Sequence, residues 1–148
     1  MITKHTFGRS TLSVIIDTNV VLDVLLEREP FVKAAVDILS FVEDSIIDAF
    51  LCATTITTID YLLNRSLPAS KARDVLRELI SLFEIANVNR SVIERALKSK
   101  IHDFEDAVLV EAGLMAGADS VLTRNTRHFA GSALKVFEPN EFLAQFTT

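Results

Sequence analysis

The segment VIIDTNVVLDVLL, residues 14–26, decides how the rest of the chain is read. Three branched apolar residues run straight into Asp17. Branched side chains favour strands, and an unbroken apolar run suits a strand buried on both faces. After Asp17 the pattern changes, and TNVVLDVLLER takes helical spacing. A buried strand therefore passes into a helix through a carboxylate. Taking a charge out of water is costly, so Asp17 needs a reason to be there. Asp23 lies on the helix, away from the strand terminus, and is read as structural or peripheral.

The same alternation continues along the chain. Pro30 suits a helix start, and Phe31, Ala34, Ala35, Ile38, Leu39 and Val42 follow at helical intervals. AFLCAT predicts a second strand, with Thr54 or Thr55 capping the helix TITTIDYLLNR. Pro68 and Ser70 mark a break before the amphipathic SKARDVLRELISLF. FEIANV reads as a strand, NRSVIERALKS as a helix, and HDFEDAVLVEAGLMAG as a helix ending at Gly117. ADSVLTRN and ALKVFEP predict two more strands, and PNEFLAQF a last short helix. Alternating strands and helices predict an α/β fold: a three-layer α/β/α sandwich around a mostly parallel sheet of four to five strands. The 148 residues, with four Gly, three Pro and no low-complexity stretch, suit one domain over 13–148 after an extension over 1–12.

Composition narrows the function. Apolar residues make up 49% and the mean hydropathy is +0.34, yet charges interrupt every run before it could span a bilayer. The first twelve residues lack the apolar core of a secretory signal, so no membrane role is expected and the cytoplasm is the default location. One cysteine, Cys52, excludes an internal disulfide framework and reads as a buried thiol. The net charge of −5 argues against a nucleic-acid binder that works by phosphate neutralisation alone. Contact with nucleic acid would need a local basic patch or a bridging metal, and a basic partner could cover the acidic surface.

In open parallel sheets, ligands bind beyond the carboxyl ends of the strands. Asp17 ends the first strand and Thr123–Asn125 follow the fourth, so neighbouring strands would bring both to one crevice. Asp103, Glu105 and Asp106 open a late helix. Asp103 and Asp106 share a face by their spacing, whereas Glu105 is expected to point elsewhere. Asp103 reads equally well as a helix cap. Asp60 interrupts an apolar helix and is either solvent-exposed or turned to the crevice. Carboxylates gathered in one pocket repel unless a cation is present. Oxygen-only sites suit Mg²⁺ or Mn²⁺ rather than zinc, and His5, His102, His128 and Cys52 form no zinc-type cluster. Such a site points to phosphate ester chemistry.

Taken together, VIIDTNVVLDVLL, TTIDYLL, DFEDAVLVEAGLMAGADSVLTRNTRHF and PNEFL resemble a PIN domain over residues 13–145. The resemblance is to the small single-domain branch that includes the bacterial VapC-like toxins. It implies a Mg²⁺- or Mn²⁺-dependent endoribonuclease, the toxin of a type II toxin–antitoxin pair. Asp17 and Asp106 would be metal ligands, Asp60 the second acid, and Asp103 a further ligand or outer acceptor, so that these four carry the catalysis. Asn125 and His128 stand where acids are common, and Asn125 contributes no charge. Thr18, Asn19 and Thr123 would shape the site, Asn19 opening the helix while Thr18 turns its hydroxyl toward the carboxylates. Arg124 and Arg127 would bind neighbouring RNA phosphates. An antitoxin filling the crevice and a homodimer are the implied partners, with residues 31–42 and 76–83 as candidate interface helices. The missing acid leaves open a PIN-fold module that binds RNA or protein without cutting. A haloacid-dehalogenase-like phosphatase would need an acid where Asn19 stands, and a phosphorelay receiver would need a phospho-accepting Asp that AFLCATT lacks.

Overall fold

In the computed structural model, which describes residues 11–147, five short strands form one parallel sheet in the order β3-β2-β1-β4-β5. The strands are β1 (Leu12–Ile16), β2 (Ile47–Cys52), β3 (Glu84–Ala86), β4 (Ser120–Leu122) and β5 (Lys135–Phe137). The helices are α1 (Thr18–Leu25), α2 (Val32–Glu43), α3 (Ala53–Leu63), α4 (Ala69–Leu82), α5 (Arg90–Leu97), α6 (Phe104–Ala116) and α7 (Pro139–Ala144). The expected N-terminal extension and His5 lie outside the described residues, except that Leu12 already opens β1.

Alternation along β1 explains the three layers. Val14 and Ile16 face a core built with α1, α2, α3, α4 and α7, while Ile15 faces a second core built with α5 and α6. All three are essentially fully buried, as a strand covered on both faces requires. The sheet is therefore wholly parallel, the α/β sandwich that the hydrophobic pattern predicts.

Two details place the functional residues. The chain leaves β1 for β2 on one side and reaches β4 on the other, so strand order switches beside β1. There Ile16 is in register with Leu122, and the Asp17 N–H donates to the Leu122 carbonyl at 2.9 Å. The second detail is Gly113 on α6. A Cβ there would lie 2.9 Å from Ile15 Cγ2 and 3.2 Å from Leu134 Cδ1, so the glycine lets α6 approach β1 closely. That contact seats the C-terminal half of α6 on β1, and the acids at the helix N-terminus stand about two turns away.

Some local readings need correction. Cys52, not Thr54 or Thr55, is the N-cap residue of α3, and both threonines lie within the helix. The strand β2 ends at Cys52 and runs directly into α3, with no loop in which a threonine could cap. Asp17, not Asn19, caps α1. A 3₁₀ turn over Thr126–Phe129 follows β4, where periodicity gives no signal for so short an element.

Candidate active site

Asp17 is held from three directions. Its Oδ1 accepts the Thr18 N–H at 2.8 Å, and its Oδ2 accepts the Thr123 hydroxyl at 2.8 Å and the Asn19 amide at 3.2 Å. Thr123, fully buried at the end of β4, also accepts the Asn125 N–H at 3.0 Å, and Asn19 Oδ1 accepts the Arg124 N–H at 3.2 Å. The ends of β1 and β4 are thus tied through one carboxylate. Asp17 is only 9% exposed. Burial pushes its pKa up, opposed by the hydrogen bonds from Thr123 and Thr18, raised further by Glu105 and lowered by His128. The expected roles of Asn19 and Thr123 in shaping the crevice have this concrete form. Thr18 differs: its hydroxyl donates to Thr55 Oγ1 on α3 at 3.2 Å rather than facing the carboxylates.

Asp106 is the second member. Asp103 caps α6, its Oδ1 accepting the Asp106 N–H at 3.0 Å, so the cap reading of Asp103 holds whatever else it does. The Asp106 carboxyl is pushed up to about 7, first by burial and then by the charges of Asp17, Asp103 and Glu105. Carboxylates from two elements therefore sense one another across the crevice, and Asp17, Asp103 and Asp106 are brought together.

Glu105, expected to point elsewhere, belongs to this cluster. Its charge acts on both Asp17 and Asp106, and its Oε2 accepts the Thr58 hydroxyl of α3 at 3.2 Å. The spacing rule fails here because the residues of a first helical turn fan out around the helix end, and that end faces the crevice. Asp60 is placed differently. On α3 it stands two residues after Thr58, about 200° around the helix at 100° per residue, and so on nearly the opposite side. Its carboxylate is not among the charges that act on Asp17 or Asp106, and its buried Oδ1 has no hydrogen-bond partner among the described residues.

The two arginines expected to bind RNA separate. The Arg124 guanidinium grips the buried Asp23, with Nε 2.6 Å from Oδ2 and the NH2 nitrogen 3.1 Å from Oδ1, and lies 3.9 Å over the Phe31 ring. Arg127 is exposed and forms no ion pair among the described residues. Asn125, also exposed, stands at the entrance to the 3₁₀ turn, where its amide offers no charge. Among the described residues no three His, Cys, Asp or Glu side chains are grouped as a ready metal cage.

The raised Asp106 fixes a pH dependence. In the unfolded chain this carboxyl would ionise near 3.8, whereas in the fold it keeps its proton to about pH 7. The folded state binds the extra proton across that window. The associated stability is fully present below pH 4 and is lost as pH rises through 7. Water reaches this half-buried group, so the expected loss is only about 1–2 kcal/mol. In EDTA, Asp106→Asn should therefore raise the melting temperature at pH 8 and change it little at pH 4.5. Equal shifts at both pH values would contradict the assignment.

Comparison with known proteins bears on the family and the fold. The PIN domain family profile matches residues 13–127. The chain is 24% identical over 140 residues to Ribonuclease VapC1 of Aquifex aeolicus (strain VF5), covering 91% of this chain and 96% of that protein. Among solved structures, VapBC2 from Rickettsia felis bound to a DNA fragment from its promoter superposes with a TM-score of 0.68 at 12% identity, over 86% of this chain and 98% of that one. FitAcB from Neisseria gonorrhoeae gives a TM-score of 0.64 at 23% identity, over 85% and 97%. Those likenesses concern the fold, and the profile, spanning most of the chain from β1 through the residues after β4, decides membership: this chain belongs to the PIN domain family.

Proposed function

We propose that the chain is a divalent-metal-dependent endoribonuclease that acts as the toxin of a toxin–antitoxin pair. The observation that carries this reading is the acid cluster beyond β1, in which burial and mutual repulsion hold Asp106 near 7. A cation relieves that repulsion, and the donors are all oxygens. With no full protein cage among the described residues, the fit is to a hard ion that takes one or two carboxylates and keeps its waters. The similarity to a ribonuclease supports RNA as substrate, and the toxin–antitoxin complexes of like fold support an antitoxin as partner.

Asp17 and Asp106 would hold the ion, Mg²⁺ or Mn²⁺. When bound, such an ion supplies Lewis-acid charge to a phosphoryl oxygen and lowers the pKa of a water. Asp17 cannot swing away, because Thr18, Asn19 and Thr123 fix both its oxygens. Asp103 keeps the first turn of α6 in place through the Asp106 N–H. Glu105 is well placed to orient the attacking water by accepting its hydrogen, with Asp103 as the alternative acceptor. Asp60 is left out of this machinery because its place on α3 turns it from the cluster. Half-exposed Ile80 on α4 and Val36 on α2 leave apolar surface for a homodimer on the two helices that the sequence singles out.

The test is cleavage of RNA by the purified protein. Activity is expected with Mg²⁺ or Mn²⁺, abolished by excess EDTA and restored when the ion is returned. A protein that binds the chain as its antitoxin should abolish this cleavage when added in excess. Cleavage that persists unchanged in EDTA, or no cleavage with either ion, would overturn the metal-dependent reading.

A further inference from the structure

Beside the acid cluster lies a cavity of about 360 Å³ lined by Lys100, His102, Asp103, Arg127, His128 and Ala130. Two loops enclose it: the segment joining α5 to α6, and the 3₁₀ turn after β4. They meet where Gly131 packs against Lys100. A Cβ on Gly131 would come within 3.2 Å of Lys100 Cβ, and the glycine's φ of +93° is one that L side chains rarely adopt. This approach fixes the spacing of the two loops.

What sets this cavity apart is where its unpaired cations stand: unlike Arg65, Lys71, Arg73, Lys98 and Lys135, which also form no ion pair among the described residues, they line a cavity wall together with Asp103. Arg28, Lys33, Arg77, Arg90, Arg95 and Arg124 are all committed to carboxylates. Lys100 and Arg127 form no ion pair among the described residues, so their charge remains available. Two histidines stand with them, and the charge of one, His128, already acts on Asp17. The single acid in the cavity wall, Asp103, turns one oxygen to the α6 backbone. An acidic protein that must admit a polyanion needs local cations to offset repulsion at the crevice mouth. This is where the described structure gathers free ones next to the carboxylates.

We propose that this cavity is a phosphate subsite that takes the RNA phosphodiester adjacent to the one at the carboxylates. Lys100 and Arg127 supply the charge, and His102 and His128 donate hydrogen bonds. The proposal rests on RNA being the substrate, as argued above. It also divides two residues that the sequence treats alike: Arg127 contacts substrate, whereas Arg124 belongs to the framework.

The test is binding, measured without metal so that it does not depend on catalysis. Fluorescence anisotropy in EDTA would follow a labelled single-stranded RNA of about 12 nucleotides, within the usual span of such sites. The Lys100→Gln/Arg127→Gln protein is expected to bind about tenfold more weakly and to lose about 1 from the slope of log affinity against log salt. Lys71→Gln/Arg73→Gln, which removes two exposed cations from α4, should bind like wild type. Equal affinity and slope for wild type and the cavity variant would overturn the subsite, as would an equal loss in the α4 variant or no RNA binding by wild type. Cleavage reports separately on the enzyme reading. RNA that is bound through the cavity but never cut leaves the subsite standing and removes the nuclease, whereas cutting that the cavity variant performs with unchanged kcat/KM does the reverse.

Discussion

Asp17→Asn is expected to cut RNA at least about a hundredfold more slowly than wild type in Mg²⁺ or Mn²⁺, the scale for losing one preorganised electrostatic group. The substitution removes charge and little else. Asparagine keeps an oxygen for the Thr18 N–H and nearly the same volume in a site that is 9% exposed. Its amide nitrogen would face the Thr123 hydroxyl, which already accepts the Asn125 N–H, and would meet the Asn19 amide donor to donor, so two hydrogen bonds are weakened or lost. Against this, a carboxylate whose ionised form is disfavoured by burial has been removed. The two effects oppose, and the melting temperature should stay within about 3 °C, the shift that roughly 1 kcal/mol makes in a chain of this size. Asp106→Asn should behave alike in cleavage. The discriminating measurement is cleavage beside thermal melting on the same preparations. Near-wild-type cutting by both variants would remove these residues from the site, and a collapse in melting temperature would make Asp17 a structural residue.

Metal should add a second signature. An ion that binds the folded chain alone stabilises it by about 2.7 kcal/mol at a hundred times its Kd, and the raised melting temperature should vanish in Asp17→Asn and Asp106→Asn. The gain should be larger at pH 8 than at pH 5.5, because a proton competes with the ion for Asp106 below about 7.

What was legible in the sequence follows from what periodicity can carry. Most strands are short, largely apolar runs and most helices carry a 3.6-residue repeat, so the alternation, the parallel sheet and the place of Asp17 at a strand end could be read directly. The adjacency of β1 and β4, on which the crevice depends, was legible only as a condition. Rotations of helix ends were not. Whether an acid on α3 faces the crevice depends on which side Thr55, Ile59 and Leu63 bury, and those residues turn Thr58 rather than Asp60 toward α6. Glu105 was hidden for a related reason, since facing rules describe the middle of a helix and not a first turn aimed at a pocket. Pairing of charges was the other gap. A one-dimensional reading sees Arg124 beside Arg127 and assigns both to phosphate. It cannot see that α1 runs beneath the loop after β4 and offers Arg124 a buried carboxylate.

That carboxylate, Asp23, gives the largest expected effect on stability. It is 1% exposed, and Arg124 grips both its oxygens. Arg28 adds a third contact, with Nε 3.0 Å from Oδ1 yet not aligned for a hydrogen bond, so it acts mainly through charge. Reading Asp23 as structural holds, but it is central rather than peripheral. Asp23→Ala leaves two arginines at a buried position without their anion, and loss of one partner from such a pair typically costs about 3–5 kcal/mol. Both arginines can still reach water, at 24% and 38% side-chain exposure, which places the expected cost at the low end, about 3 kcal/mol. The consequence runs on to the candidate active site. Arg124 also donates its backbone N–H to Asn19, which in turn donates to Asp17, so a freed Arg124 loosens the network that aims the Asp17 carboxylate. Denaturant unfolding of Asp23→Ala, Arg124→Ala and the double variant measures the coupling. The double variant should cost clearly less than the sum of the two singles, because the second substitution removes the charge that the first left unpaired. Additive costs, or a loss below about 1 kcal/mol for Asp23→Ala, would mean that water rather than Asp23 carries the arginine charge, as it does for exposed pairs.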